Sequence, residues 1–146
     1  DKEQRIPMKR DTIFRLASMT KPITAVAMLM LVEDGRIALE DPVDMWLPEL
    51  SKRRVLDDPN GPLDKTHPSP RSITLRDLLM YRMGLGIPSY EPSIDPSAPI
   101  AKAFTAFSQG RPSPDEWIKR LGELPLVAAP GERWMYCFAD DALVEY

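Results

Sequence analysis

The sequence predicts the helical part of an α+β domain, with little of the sheet inside the chain. Three observations carry this. Helical patterning dominates and strand signal is thin. The segment from Thr20 to Asp34 is apolar nearly all round, so a helix there should be buried on most sides. The other elements are short and set between proline-rich stretches, and a helical layer rich in Leu and Met must pack on something more, which fits a sheet. At 146 residues the chain suits one domain. Sixteen prolines against seven glycines describe stiff loops between helices, not flexible linkers.

In order, Thr12–Leu16 reads as a short extended piece feeding a helix over Thr20–Asp34, which Asp34-Gly35 ends. Arg36–Leu39 suits a short strand or turn. Asp41 as cap and Pro42 at the first helical position predict a brief helix, with Trp46 and Leu47 inward and Pro48 as its stop. Residues 51–72 carry charge and four prolines without periodicity, and read as a long loop. Thr74-Leu-Arg-Asp77 is an Asp-based capping box before a short helix through Tyr81, closed by Gly84 and Gly86. After a loop over 87–99 comes a helix from Ile100 to Gln109. Ser113-Pro114-Asp115-Glu116 starts another, running to about Leu121. Pro130-Gly131 marks a turn, and Trp134–Phe138 a partly buried strand or loop.

Composition excludes several classes. With 43% hydrophobic and 28% charged residues, wholesale disorder is excluded. Net charge is −3 with scattered Lys and Arg, so no nucleic-acid partner is expected. The longest plain apolar run, Ala25–Val32, is too short to span a bilayer. A single cysteine and a single histidine allow no internal disulfide, no Cys/His zinc cluster and no paired imidazoles, so neither cofactor nor metal is expected. Both ends read as cut: the chain opens without Met and stops inside the apolar-periodic stretch Phe138–Tyr146.

Ser18-Met19-Thr20-Lys21 has the S-x-x-K spacing of an activated serine. A serine hydroxyl is a weak nucleophile until a base takes its proton. An amine three residues on lies about one helical turn away, on the same face. A helix N-terminus and a dry site both favour a neutral amine, and the same dipole helps hold a developing oxyanion. The bare tetrad also fits a cap-like serine beside a solvated lysine; its place at the head of the most apolar helix brings chemistry level with that reading. Pro22 biases Lys21 away from helical angles and cannot donate to the Ser18 carbonyl, so residues 18–21 are at most a first turn, of 3₁₀ type. Positions i and i+3 eclipse in such a turn, which still unites Ser18 and Lys21. Tyr136 is a second candidate, as a phenolic base or acid, although its spacing alone reads first as a core aromatic beside Trp134. His67 sits in a loop and no serine lies in a G-x-S-x-G elbow, which speaks against a Ser-His-Asp triad. Cys137 reads as a small buried residue. Lys65-Thr66-His67 reads as a chance relative of K-T-G.

Three blocks together resemble a known family. DTIFRLASMTKPITAVAMLMLVEDGRIALEDPVDMWLPE (Asp11–Glu49), ITLRDLLMYRMGLG (Ile73–Gly86) and PLVAAPGERWMY (Pro125–Tyr136) resemble the serine β-lactamase-like family, most of all its class C-like carboxylesterases, in the family's order. The resemblance implies a β-lactamase/transpeptidase-like α+β fold, an antiparallel sheet flanked by helices, of which residues 1–146 form an N-terminal to central portion. It implies acylation of Ser18, helped by Lys21 and Tyr136, then hydrolysis of the acyl-enzyme. The family's β-lactamases usually read Tyr-x-Asn where this chain has Tyr136-Cys137-Phe138. Phe138 cannot hydrogen-bond an amide, which points to esters. Tyr81 and Met83 stand where the family usually has His and Ser or Thr, and a third motif is expected on a strand beyond Tyr146. The reading is a carboxylesterase acting on short acyl esters, its partner a small-molecule ester or amide. A β-lactamase or D-alanyl-D-alanine peptidase, or a non-catalytic binding module, are the alternatives. The chain by itself is expected to be inactive.

Overall fold

The computed structural model describes residues 3–107, 109, 110 and 112–137. Among them are four α-helices, one antiparallel hairpin and several single 3₁₀ turns, so the chain is mostly helical with little sheet. Thr12–Leu16 forms no strand and leads into a 3₁₀ turn, Ala17–Met19, followed by α1, Thr20–Glu33. Pro22 does not break α1 because it sits in the first turn, where its missing N–H would have had no helical partner. α1 closes in a Schellman motif: Gly35 takes φ +68°, its N–H reaches the Val32 carbonyl at 3.0 Å, and the Arg36 N–H reaches that of Leu31 at 3.0 Å. Burial on most sides is not found for α1. Met28 is its one buried residue and Leu31 and Val32 pack partly on the core, while Ile23, Val26, Leu29 and Met30 are exposed.

Asp41 does not cap a helix. Its carboxylate accepts from the Ala38 N–H at 2.7 Å, Pro42 is extended, and a single 3₁₀ turn follows at Val43–Met45. Pro48 opens a further 3₁₀ turn, Pro48–Leu50, rather than stopping one. Single turns present no continuous face, so Leu47 is buried while Trp46 stays exposed.

The expected loop over 51–72 contains a hairpin. β1, Arg54–Leu56, pairs antiparallel with β2, Thr66–Pro68, in the register Arg54↔Pro68. Leu126 lies along the other edge of β1, exchanging backbone bonds of 2.8 Å with Leu56 and Arg54. Arg53, buried just before β1, donates from its guanidinium to the carbonyls of Leu121, Gly122 and Leu124. Burial pushes this group down to about 10, still a full cation at neutral pH, set against the negative end of a helix.

α2, Leu75–Leu79, starts in the expected capping box: the Asp77 N–H reaches Thr74 Oγ1 at 3.3 Å and the Thr74 N–H reaches Asp77 Oδ2 at 2.9 Å. It ends before Tyr81, which takes the left-handed φ of +57°, so closure falls there and not at Gly84. α3, Pro99–Phe107, and α4, Pro114–Glu123, follow, the latter with Ser113 accepting from the Glu116 N–H at 3.3 Å. Phe107 joins α3 to α4 through a ring contact of 5.5 Å with Trp117, and Phe104 packs on Phe107 within α3 at 5.2 Å. The core runs from these rings through Ile100, Leu75, Leu78 and Ile73 to Val43 and Leu50.

Candidate active site

Three segments meet at the head of α1. The first is the 3₁₀ turn. Ala17 precedes Ser18 at φ +46°, a left-handed conformation that costs an L-residue with a Cβ about 1–2 kcal/mol. The second runs from Tyr81 to a 3₁₀ turn at Pro88–Tyr90. The third is the extended stretch Arg133–Cys137.

Glycine lets the second and third segments touch. Gly84 has φ +99°, and a Cβ on it would run into the Ala128 carbonyl. Its own carbonyl accepts from Val127 and Ala128 at 2.8 and 3.2 Å. A Cβ on Gly86 would lie 2.6 Å from that of Met135. The Met135 N–H reaches the Tyr81 carbonyl, and the Ile87 N–H that of Tyr136, each at 2.8 Å. Side chains alternate along the third segment: Met135 and Cys137 are buried, while Trp134 and Tyr136 turn outward together.

The result brings the three expected residues together. Ser18 Oγ lies 2.8 Å from Tyr136 Oη, and Lys21 Nζ stands 5.5 Å from the centre of the Tyr136 ring. Ser18 is exposed and Lys21 and Tyr136 half-buried, so these residues alone form an open site rather than a dry one. A hydroxyl bonded to a phenol, with an amine beside it, is a chain along which a proton can move.

Around the phenol are aromatic residues whose role the sequence did not announce. Tyr81 stacks on Tyr136 with ring centres 5.7 Å apart and planes 11° apart. Tyr90 meets it edge-on at 5.8 Å, and Trp134 lies 6.4 Å away. Tyr81 thus fills with an aromatic contact the place where polar ones were in question, and Met83 is buried in the core. The signal for Trp134 was its spacing of two from Tyr136; Tyr90, in a proline-rich loop, gave none.

The remaining candidates lie elsewhere. His67 Nδ1 pairs with Asp57 Oδ1 at 2.7 Å on the exposed hairpin. Thr66 accepts from Arg54 Nε at 2.7 Å, and Cys137 is buried. Phe138 lies outside the described residues. At the start of α2, Arg71 donates to both oxygens of the buried Asp77. Burial would raise that carboxyl, but the bonds from Arg71 and Thr74 outweigh it and hold it below the usual carboxylate range. Among the described residues no helix is long and apolar enough to cross a membrane, and no cluster of His, Cys, Asp and Glu is placed to hold a metal ion.

Protein Rv1367c of Mycobacterium tuberculosis is 49% identical over 138 residues, covering 94% of this chain and 33% of that one. Esterase EstB of Burkholderia gladioli is 40% identical over 98% of this chain and 33% of its own. Among solved structures, EstCE1, a hydrolase with promiscuous acyltransferase activity, superposes with a TM-score of 0.75 at 27% identity, over 99% of this chain and 35% of that one. The chain therefore spans about a third of the length of these relatives. The Beta-lactamase family profile matches residues 1–146. In fold and in sequence, the chain belongs to the beta-lactamase family.

Proposed function

We propose that the protein is a serine hydrolase that forms an acyl-enzyme through Ser18, and that it acts as a carboxylesterase on short acyl esters. The observation that carries this reading is the 2.8 Å contact between Ser18 Oγ and Tyr136 Oη, with the Lys21 amine beside the same ring. Ser18 Oγ attacks the ester carbonyl carbon while its proton passes to the Tyr136–Lys21 pair. The tetrahedral intermediate collapses, the bond to the alcohol oxygen breaks, and the alcohol leaves with that proton. Water then attacks the acyl carbonyl and gives a proton to the pair. The bond to Ser18 breaks, the proton returns to Oγ, and the carboxylic acid departs.

Esters are favoured over β-lactams by Phe138, which offers no amide to a substrate, and by the esterase relative from Burkholderia gladioli. A β-lactamase or D-alanyl-D-alanine peptidase is the second reading, and a binding module of the same fold that has lost turnover the third. The contact between Ser18 and Tyr136, with the Lys21 amine over the same ring, favours turnover.

The test uses the product of the complete reading frame. A fluorophosphonate probe should label Ser18, and Ser18→Ala should lower hydrolysis of p-nitrophenyl acetate by about 10³-fold or more. Lys21→Arg should fail too, because a guanidinium stays charged. A higher kcat/KM for nitrocefin than for the ester would move the assignment to β-lactams. An active Ser18→Ala protein, or an adduct on another serine, would overturn the nucleophile.

A further inference from the structure

Tyr90 and Trp134 are large aromatic residues with 64% and 61% of their surface exposed. Both approach the ring of the phenol that touches Ser18. Scattered exposed apolar residues need no explanation, but two aromatic rings beside one reactive hydroxyl form a surface with a direction. At the centre sit the polar groups: Ser18 Oγ, Tyr136 Oη and the Lys21 amine. Beside the Tyr136 ring lie the two others, each a broad apolar face with a single polar tip.

This surface is held in place. The Tyr90 turn is fixed by the Ile87 N–H on the Tyr136 carbonyl at 2.8 Å and by the Tyr90 N–H on the Ile87 carbonyl at 2.9 Å. Pro88, between them, is buried. Trp134 is turned outward because its neighbour Met135 is buried and hydrogen-bonded to Tyr81. Its indole lies 6.1 Å from the Tyr81 ring, itself stacked on Tyr136. The rings are therefore in position before any ligand arrives, and little ordering cost falls on binding.

We propose that Tyr90 and Trp134 form a binding face for an aromatic group attached to the ester, making them specificity-determining residues of this site. The proposal rests on the hydrolase reading above and names its substrate class: esters in which a flat apolar ring neighbours the carbonyl. The carbonyl points to Ser18, and the ring packs against the two aromatic side chains in offset or edge-on contact.

Two substrate pairs test it in the product of the complete reading frame. p-Nitrophenyl phenylacetate against p-nitrophenyl acetate varies the acyl side, and benzyl acetate against ethyl acetate varies the alcohol side. The readout is the ratio of kcat/KM, aromatic over aliphatic, within each pair. Tyr90→Ala and Trp134→Ala should each lower that ratio by about 5–10-fold in at least one pair, the size of a lost aromatic contact. Tyr90→Phe, which keeps the ring, should preserve it. Unchanged ratios in both pairs, with Ser18 still labelled by fluorophosphonate, overturn the aromatic face and leave the hydrolase intact. Binding without turnover separates the opposite case. Benzyl acetate should bind Ser18→Ala more weakly once Tyr90→Ala is added, whereas ethyl acetate should not. That difference found in a protein whose Ser18 takes no probe would sink the hydrolase reading and keep the face. Its absence there would sink both.

Discussion

Asp77 does at residue scale what capping does elsewhere, but from inside the protein. It is buried, carries a charge, and is surrounded by donors from Arg71 and Thr74. Its folded carboxyl titrates below the unfolded one, so its contribution to stability is fully present above the unfolded value near ~3.9. The contribution is lost as pH falls through the lower, folded value. Asp77→Asn should therefore cost about 1–3 kcal/mol at pH 7. The gap to the parent protein should narrow steadily in urea melts taken below pH 4. A gap of equal size at pH 7 and pH 3 would refute the linkage. Residues of this kind were half legible. The sequence showed that Thr74 and Asp77 cap a helix, not that Arg71 would join them. Ser18, Lys21 and Tyr136 were legible as candidates because their spacing and blocks are local. Tyr90 was not, because the turn that aims it depends on a backbone bond to Tyr136, far along the chain.

Among elements, those with their own chemistry at each end were readable. α1 has its Schellman glycine, α2 its capping box, and α4 its Ser-Pro start. The hairpin was missed because its three-residue strands are too short for alternation to register. β1 is stabilised by β2 on one side and Leu126 on the other, contacts that no local window contains. The end of α2 was placed too late because glycine is the usual left-handed residue, whereas Tyr81 takes that conformation here. Gly84 serves another purpose, the close passage of Ala128. Gly84→Ala should cost about 2–4 kcal/mol, from the left-handed backbone and the collision together. Gly35→Ala, also left-handed but facing open space, should cost only about 1–2 kcal/mol. Thermal melts of the two variants check the contrast, and equal losses would show that the approach to Ala128 carries no weight.

At the scale of the whole molecule, the family was legible from the three blocks and the mainly helical content from the patterning, whereas the burial of α1 expected from its all-round apolar pattern is not found among the described residues. Ile23, Val26, Leu29 and Met30 are exposed on α1, with Ile13, Phe14 and Met19 exposed just before it. A patch of this kind invites association in water. The isolated 146-residue chain is accordingly expected to self-associate, bind a hydrophobic dye and give no ester burst. Size-exclusion chromatography and stopped-flow mixing would measure this, and a monomer with one cooperative unfolding transition would refute it. The same exposed face has a meaning for how the protein is made. Chain emerges from a ribosome at roughly 5–20 residues per second, N-terminal parts first. Leu31 and Val32 pack on core residues that lie almost wholly later in the chain, from Val43 to Cys137, so the apolar side of α1 leaves the tunnel before that cover exists. For several seconds the turns of helix next to Ser18 are the ones a chaperone has to shield.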